Sequence, residues 1–143
     1  PLIHLRRLLA LPLRFLIDTN ACIAFLDGAD VRLRDRWLKT PAHDLALRSV
    51  VKTELFRGAW ASRDPIGVIA RLDQFFQAFR SLDFDDRAAE RCGQILAQLD
   101  RSGRPIGLAD CMIAGIALAE DLVVVTRNQR HFRRVRGLKL ANW

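Results

Sequence analysis

The chain has 143 residues, half of them hydrophobic and 27% charged, which suits one packed domain and excludes a wholly disordered chain. Its 23 basic and 16 acidic residues leave a net charge of +7, a balance that favours a polyanionic partner, nucleic acid before an anionic membrane surface. No run approaches the roughly 20 apolar residues of a spanning helix, and the three cysteines lack the paired spacing of a disulfide scaffold or a zinc site.

Residues 1–13 read as an N-terminal extension that need not be native. Their Arg6-Arg7 and following leucines only faintly resemble an export signal, and Arg14 interrupts the run. The domain proper is expected over residues 14–143. Arg14 to Asp18 is a short apolar strand ending in a carboxylate, followed by a helix to about Leu26, capped by Thr19 or Asn20 and stopped at Asp27-Gly28. Val31 to Leu38 is amphipathic. Leu45 to Ser49 reads as a second strand, with Ser49 capping a helix that runs to Trp60.

The spacing predicts a further helix over 66–79, with Ile69, Leu72, Phe75, Phe76 and Phe79 on one broad face, a core or dimer-interface surface. A short strand over 81–84 and a helix over 86–99 follow. After Pro105-Ile-Gly107 come a helix over 108–119, the strand Leu122 to Thr126, a basic segment over 127–136 and a last strand over 138–141. Strands alternate with helices throughout, so the fold class is α/β, with a parallel sheet covered on both faces. Ligands of such sheets bind beyond the carboxyl ends of the strands, which directs attention to Asp18 and to the residues after Thr126.

Three carboxylates need more than a structural role. Asp18 closes the first strand and can also serve as a helix cap. Glu54 falls within the stripe Val51, Leu55, Gly58, on what reads as the core-facing side of its helix, where it needs a partner; Arg57 or Lys52 could supply an ion pair. Asp110 shares a face with Ile113, Ala114 and Ala117, and its place in a first turn also suits the helix dipole.

All three belong near one edge of the sheet. Two carboxylates about 4 Å apart repel by roughly 4 kcal/mol at an effective dielectric near 20, so such a cluster needs protons or a cation. Oxygen donors select magnesium, with manganese as a substitute. His4, His43 and His131 show no metal-ligand spacing. An acidic metal pocket in a basic protein suits phosphodiester cleavage.

Four segments, Ile17-Asp18-Thr19-Asn20, Thr53-Glu54-Leu55-Phe56-Arg57-Gly58, Ala109-Asp110-Cys111-Met112-Ile113-Ala114 and Thr126-Arg127-Asn128-Gln129-Arg130-His131-Phe132, resemble the successive signatures of the PIN-domain family, and within it the VapC toxins. The resemblance spans about residues 14–143. It implies a three-layer fold with a five-stranded parallel sheet flanked by helices. It also implies a cytoplasmic, magnesium-dependent endoribonuclease, dimeric, held inactive by a cognate VapB-type antitoxin and reaching operator DNA only through it. Asp18, Glu54 and Asp110 match the family's metal-binding acids, with Thr19 or Asn20 orienting the first and Thr126 lining the pocket. Many members carry a fourth acid where this chain has Asn128, which adds no charge and so favours one metal ion over two without substrate.

The basic run Arg127, Arg130, Arg133, Arg134, Arg136 and Lys139 contains no acid and is expected to hold phosphate or to dock the antitoxin. Arg57, one turn after Glu54, either places phosphate or pairs with Glu54. Cys22 and Cys111 read as small buried side chains. The competing reading is a non-catalytic module that binds an antitoxin within an operator-binding complex. A small-molecule hydrolase is disfavoured, because the first strand is not followed by DxDx.

Overall fold

A computed structural model describes residues 13–143; the expected extension lies outside the described residues except for Leu13, which packs against the core. Five short runs form the sheet: β1 (Phe15–Ile17), β2 (Leu45–Arg48), β3 (Arg80–Leu82), β4 (Val123–Val125) and β5 (Lys139–Ala141). They lie in the order β3-β2-β1-β4-β5, every neighbouring pair parallel. Side chains alternate between the faces of a strand, so the complete burial of β1 and β2 means that both faces are covered there.

Among the described residues, seven α-helices flank the sheet: α1 (Thr19–Asp27), α2 (Val31–Lys39), α3 (Ser49–Trp60), α4 (Pro65–Phe76), α5 (Asp86–Ser102), α6 (Leu108–Ala119) and α7 (Gln129–Phe132). Leu16, Ile17, Leu45, Leu47, Val124 and the α6 residues Ile113 and Ile116 are at the centre of the core. Phe25, Trp37, Phe75 and Phe79 form an aromatic cluster, with Phe25 stacked on Trp37 at 4.2 Å between ring centroids. Phe75 and its neighbours therefore serve packing within the domain. Cys22, Cys92 and Cys111 are free and buried. Among the described residues, no helix is long and apolar enough to cross a membrane.

Several boundaries differ from the sequence reading, each for a local reason. The α1 cap is Asp18 itself, whose carboxylate accepts from the Thr19 N–H; neither Thr19 nor Asn20 caps. Ser49 is the first residue of α3 and makes no cap bond. Helix α4 begins at Pro65 behind an Asp64 cap and stops at Phe76, because the chain must turn at Gln77–Phe79 to enter β3 at Arg80. Helix α5 continues through Ser102 and ends only at Gly103, whose φ of +64° is the left-handed cap conformation.

The sheet order reverses beside β1: β2 and β3 lie on one side, β4 and β5 on the other. Ile17 pairs in register with Val125, so the first residues beyond these strands, Asp18 and Thr126, emerge together at the topological switch point.

Candidate active site

Asp18 is only 3% exposed, and both of its carboxylate oxygens are held. Oδ1 accepts the backbone N–H of Thr19 at 2.7 Å, and Oδ2 accepts the hydroxyl of Thr126 at 2.7 Å. Burial raises the carboxyl pKa above its ordinary 3.8; the bonds from Thr126 and Thr19 oppose this, and the negative charges of Asp110 and Glu54 add to it.

Glu54 is not on the core side of its helix. The buried stripe of α3 is Val51, Leu55 and Ala59, spaced i, i+4, i+8, and Glu54 and Gly58 lie beside it in the open. This costs no burial of charge and turns the carboxylate toward the strand ends. There Glu54 Oε1 accepts the Thr19 hydroxyl at 3.2 Å. Neither Arg57 nor Lys52 pairs with it among the described residues; Lys52 sits over the Phe76 ring instead. Thr19 therefore joins the first two acids, its backbone N–H on Asp18 and its hydroxyl on Glu54, while Asn20 is exposed and makes no side-chain hydrogen bond there.

Asp110 is half-buried in the first turn of α6. Its Oδ2 lies 3.3 Å from His131 Nδ1, which in turn lies 2.9 Å from Asn128 Nδ2. With the imidazole proton on Nδ1 the ring donates to Asp110; with it on Nε2, Nδ1 accepts from the Asn128 amide. The Asn128 N–H donates to Thr126 Oγ1 at 2.9 Å, which ties this corner back to Asp18. His131 showed no ligand spacing in sequence, because it reaches Asp110 through the fold.

The sequence reading also missed Arg48. This last residue of β2 is 0% exposed, and all three guanidinium nitrogens lack a hydrogen-bond partner among the described residues. Burial lowers its pKa to about 10, against the opposing charges of Cys92, Asp18 and Glu54, so it stays protonated at neutral pH. A buried positive charge thus acts on Asp18 and Glu54 without forming an ion pair with either among the described residues.

The basic segment divides. Arg127 is paired with Asp30, and Lys139 with Asp121. Arg134 donates Nη1 to the Pro105 carbonyl at 3.0 Å. Arg57, Arg130 and Arg133 are exposed and make no side-chain hydrogen bond or ion pair among the described residues.

The sequence matches the PIN domain family over residues 15–138. The chain belongs to the PIN-domain family. It is 39% identical over 131 residues to the "tRNA(fMet)-specific endonuclease VapC" of Shigella flexneri, an overlap of 92% of this chain and 98% of that protein. It is 32% identical to the "Ribonuclease VapC2" of Haemophilus influenzae over the same shares of each chain. A crystal structure of DNA-bound VapBC from Salmonella typhimurium contains a chain that superposes with a TM-score of 0.85 at 37% identity, covering 92% of this chain and 98% of that one. The domain therefore belongs to the VapC branch of the PIN family.

Among the described residues, no three His, Cys, Asp or Glu side chains stand close enough together to share one metal ion. The donor set nevertheless suits magnesium. It is all oxygen, its mutual repulsion asks for a cation, and magnesium is usually held by one or two carboxylates with the rest of its shell water. A pocket whose acids are joined through Thr19, Thr126 and His131 suits an ion held partly through water better than a closed three-ligand cage.

Proposed function

We propose that this PIN domain acts as a magnesium-dependent endoribonuclease toxin of the VapC kind, with Asp18, Glu54 and Asp110 as its catalytic and metal-holding acids. The observation that carries the reading is the buried, doubly hydrogen-bonded Asp18 at the switch point, electrostatically coupled to Glu54 and Asp110. Thr126 orients Asp18, Thr19 orients Glu54, and Asn128 fixes the ring that faces Asp110. When bound, the magnesium ion supplies an activated water and charge stabilisation at the phosphorus. Manganese is the expected substitute, and one ion is expected before substrate arrives.

RNA is the substrate class, and the names of the enterobacterial relatives make transfer RNA the first to test. Arg57, Arg130 and Arg133 are the exposed arginines that RNA or an antitoxin would meet, with Arg134, beside the last two, held on Pro105; Arg127 joins them only by leaving Asp30. The VapBC assemblies among the structural relatives support a VapB-type antitoxin partner and operator DNA contact through the antitoxin; a toxin homodimer and a cytoplasmic location belong to the same proposed reading. The lack of a ready three-acid cluster favours, as a second reading, a module that binds its antitoxin without cleaving RNA.

The deciding experiment incubates the antitoxin-free protein with transfer RNA and total RNA, with magnesium or with EDTA, beside Asp18→Asn. Magnesium-dependent cleavage that the substitution abolishes supports the nuclease. Cleavage that survives both EDTA and the substitution sinks the metal mechanism. No cleavage of any RNA supports the binding module.

A further inference from the structure

The turn that ends α5 and the segment that carries α7 face each other across a groove of about 680 Å³, a size typical of ligand clefts. Its lining is Gly103, Arg104, Pro105, Arg130, Arg133 and Arg134, four arginines with no carboxylate among them.

Both walls are built. On one, Gly103 donates its N–H to the Asp100 carbonyl and Arg104 donates its N–H to the Leu99 carbonyl at 3.1 Å, the paired bonds of a Schellman turn. Pro105 stiffens the chain directly after it. On the other, Phe132 and Val135 are buried, which leaves Arg130 and Arg133, three residues apart, outside. Arg134 holds the walls together, its guanidinium on the Pro105 carbonyl and its own carbonyl accepting from Gln98 Nε2 at 3.2 Å.

The guanidinium groups of Arg104, Arg130 and Arg133 have no hydrogen-bond or ion-pair partner among the described residues, whereas Arg127 and Lys139 of the same basic segment are paired. Like charges gathered on fixed walls repel one another unless an anion lies between them. A peptide groove would offer apolar pockets, and this lining has none beyond Pro105. The segment that carries α7 also meets Asp110, through His131, so the groove lies on the side of the acidic site that Asp110 occupies.

We propose that Arg104, Arg130 and Arg133 form a phosphate-binding track for the RNA strand that leads into the acidic pocket, with Arg134 as the brace that sets its width. The proposal rests on the ribonuclease reading and adds Arg104, which lies outside the basic segment, as a substrate-binding residue.

The test uses the full chain in EDTA, where a fluorescein-labelled single-stranded RNA is bound but not cut, titrated at several salt concentrations. Arg104→Ala, Arg130→Ala and Arg133→Ala should each weaken binding by about three- to tenfold and lower the salt slope by roughly 0.7 per lost phosphate contact, the triple variant combining the losses. Arg63→Ala, on the exposed turn between α3 and α4, should change nothing, and the thermal midpoints should stay together. Unchanged RNA affinity and salt slope in the triple variant would falsify the track, as would a loss of antitoxin binding with RNA binding intact. If the variants lose RNA while the wild type with magnesium cuts none, the track stands and the nuclease reading falls. If the wild type cuts and the variants bind normally, only the track falls.

Discussion

Thr126 Oγ1 donates to Asp18 Oδ2 at 2.7 Å across 108 residues of sequence, and accepts the Asn128 N–H at 2.9 Å. One hydroxyl thus joins the ends of β1 and β4 and the start of α7, which carries His131. Thr126→Val keeps the shape but leaves a buried carboxylate oxygen and a backbone N–H without their partner. It should cost about 1–3 kcal/mol in denaturant unfolding and lower RNA cleavage by about ten- to hundredfold, as loss of an outer partner does in metal sites. Thr126→Ser should restore most of both. Wild-type activity in the valine variant would show that Asp18 is positioned without it.

How much of this was readable in advance differs by residue. An apolar run ending in a carboxylate marks a strand edge, so Asp18 and the parallel α/β fold followed from pattern alone. For Glu54 the sequence places the carboxylate on the wrong side of its helix, because helical spacing gives a stripe without telling how wide its buried part is; here that part is Val51, Leu55 and Ala59. His131 meets Asp110 only after the chain passes through β4 and turns, and no spacing rule spans that path. Arg48 broke the rule that charge in a strand faces water, as functional sites tend to do.

The raised Asp18 pKa makes a pH prediction with a defined sign. A carboxyl that holds its proton more tightly when folded opposes folding once ionised. Its contribution is therefore most favourable below 3.8 and is lost as pH rises through the window between 3.8 and the higher folded value. In EDTA, the thermal midpoint of wild type relative to Asp18→Asn should fall across that window and then level off. On the proposed reading, added magnesium should bind the folded carboxylates and reverse the fall at neutral pH. A flat difference would remove the strained carboxylate from the account.

Gly115 tests the packing that places Asp110. A Cβ there would come within 2.7 Å of the Ala88 carbonyl oxygen and 3.1 Å of Cys92 Cβ, so α5 and α6 approach through this glycine. Gly115→Ala must push the helices apart and should cost about 1–3 kcal/mol in stability. Because Asp110 lies within two turns of Gly115 on α6, cleavage at low temperature should fall along with stability. An unchanged unfolding midpoint would mean that the helices separate freely.

Arg48 offers the sharpest electrostatic test. Its guanidinium is buried, charged at neutral pH and coupled to Asp18 and Glu54, so it neutralises part of the acidic pocket before any metal arrives. The same charge must repel an incoming dication. Methionine fills similar volume without charge, and such replacements of buried ions are tolerated when packing is kept. Arg48→Met should therefore tighten magnesium binding by roughly threefold or more, measured by calorimetry, while Arg48→Lys stays near wild type. Weaker binding in the methionine variant, with its thermal midpoint unchanged, would mean that Arg48 serves the metal site by orienting the carboxylates and not by opposing charge.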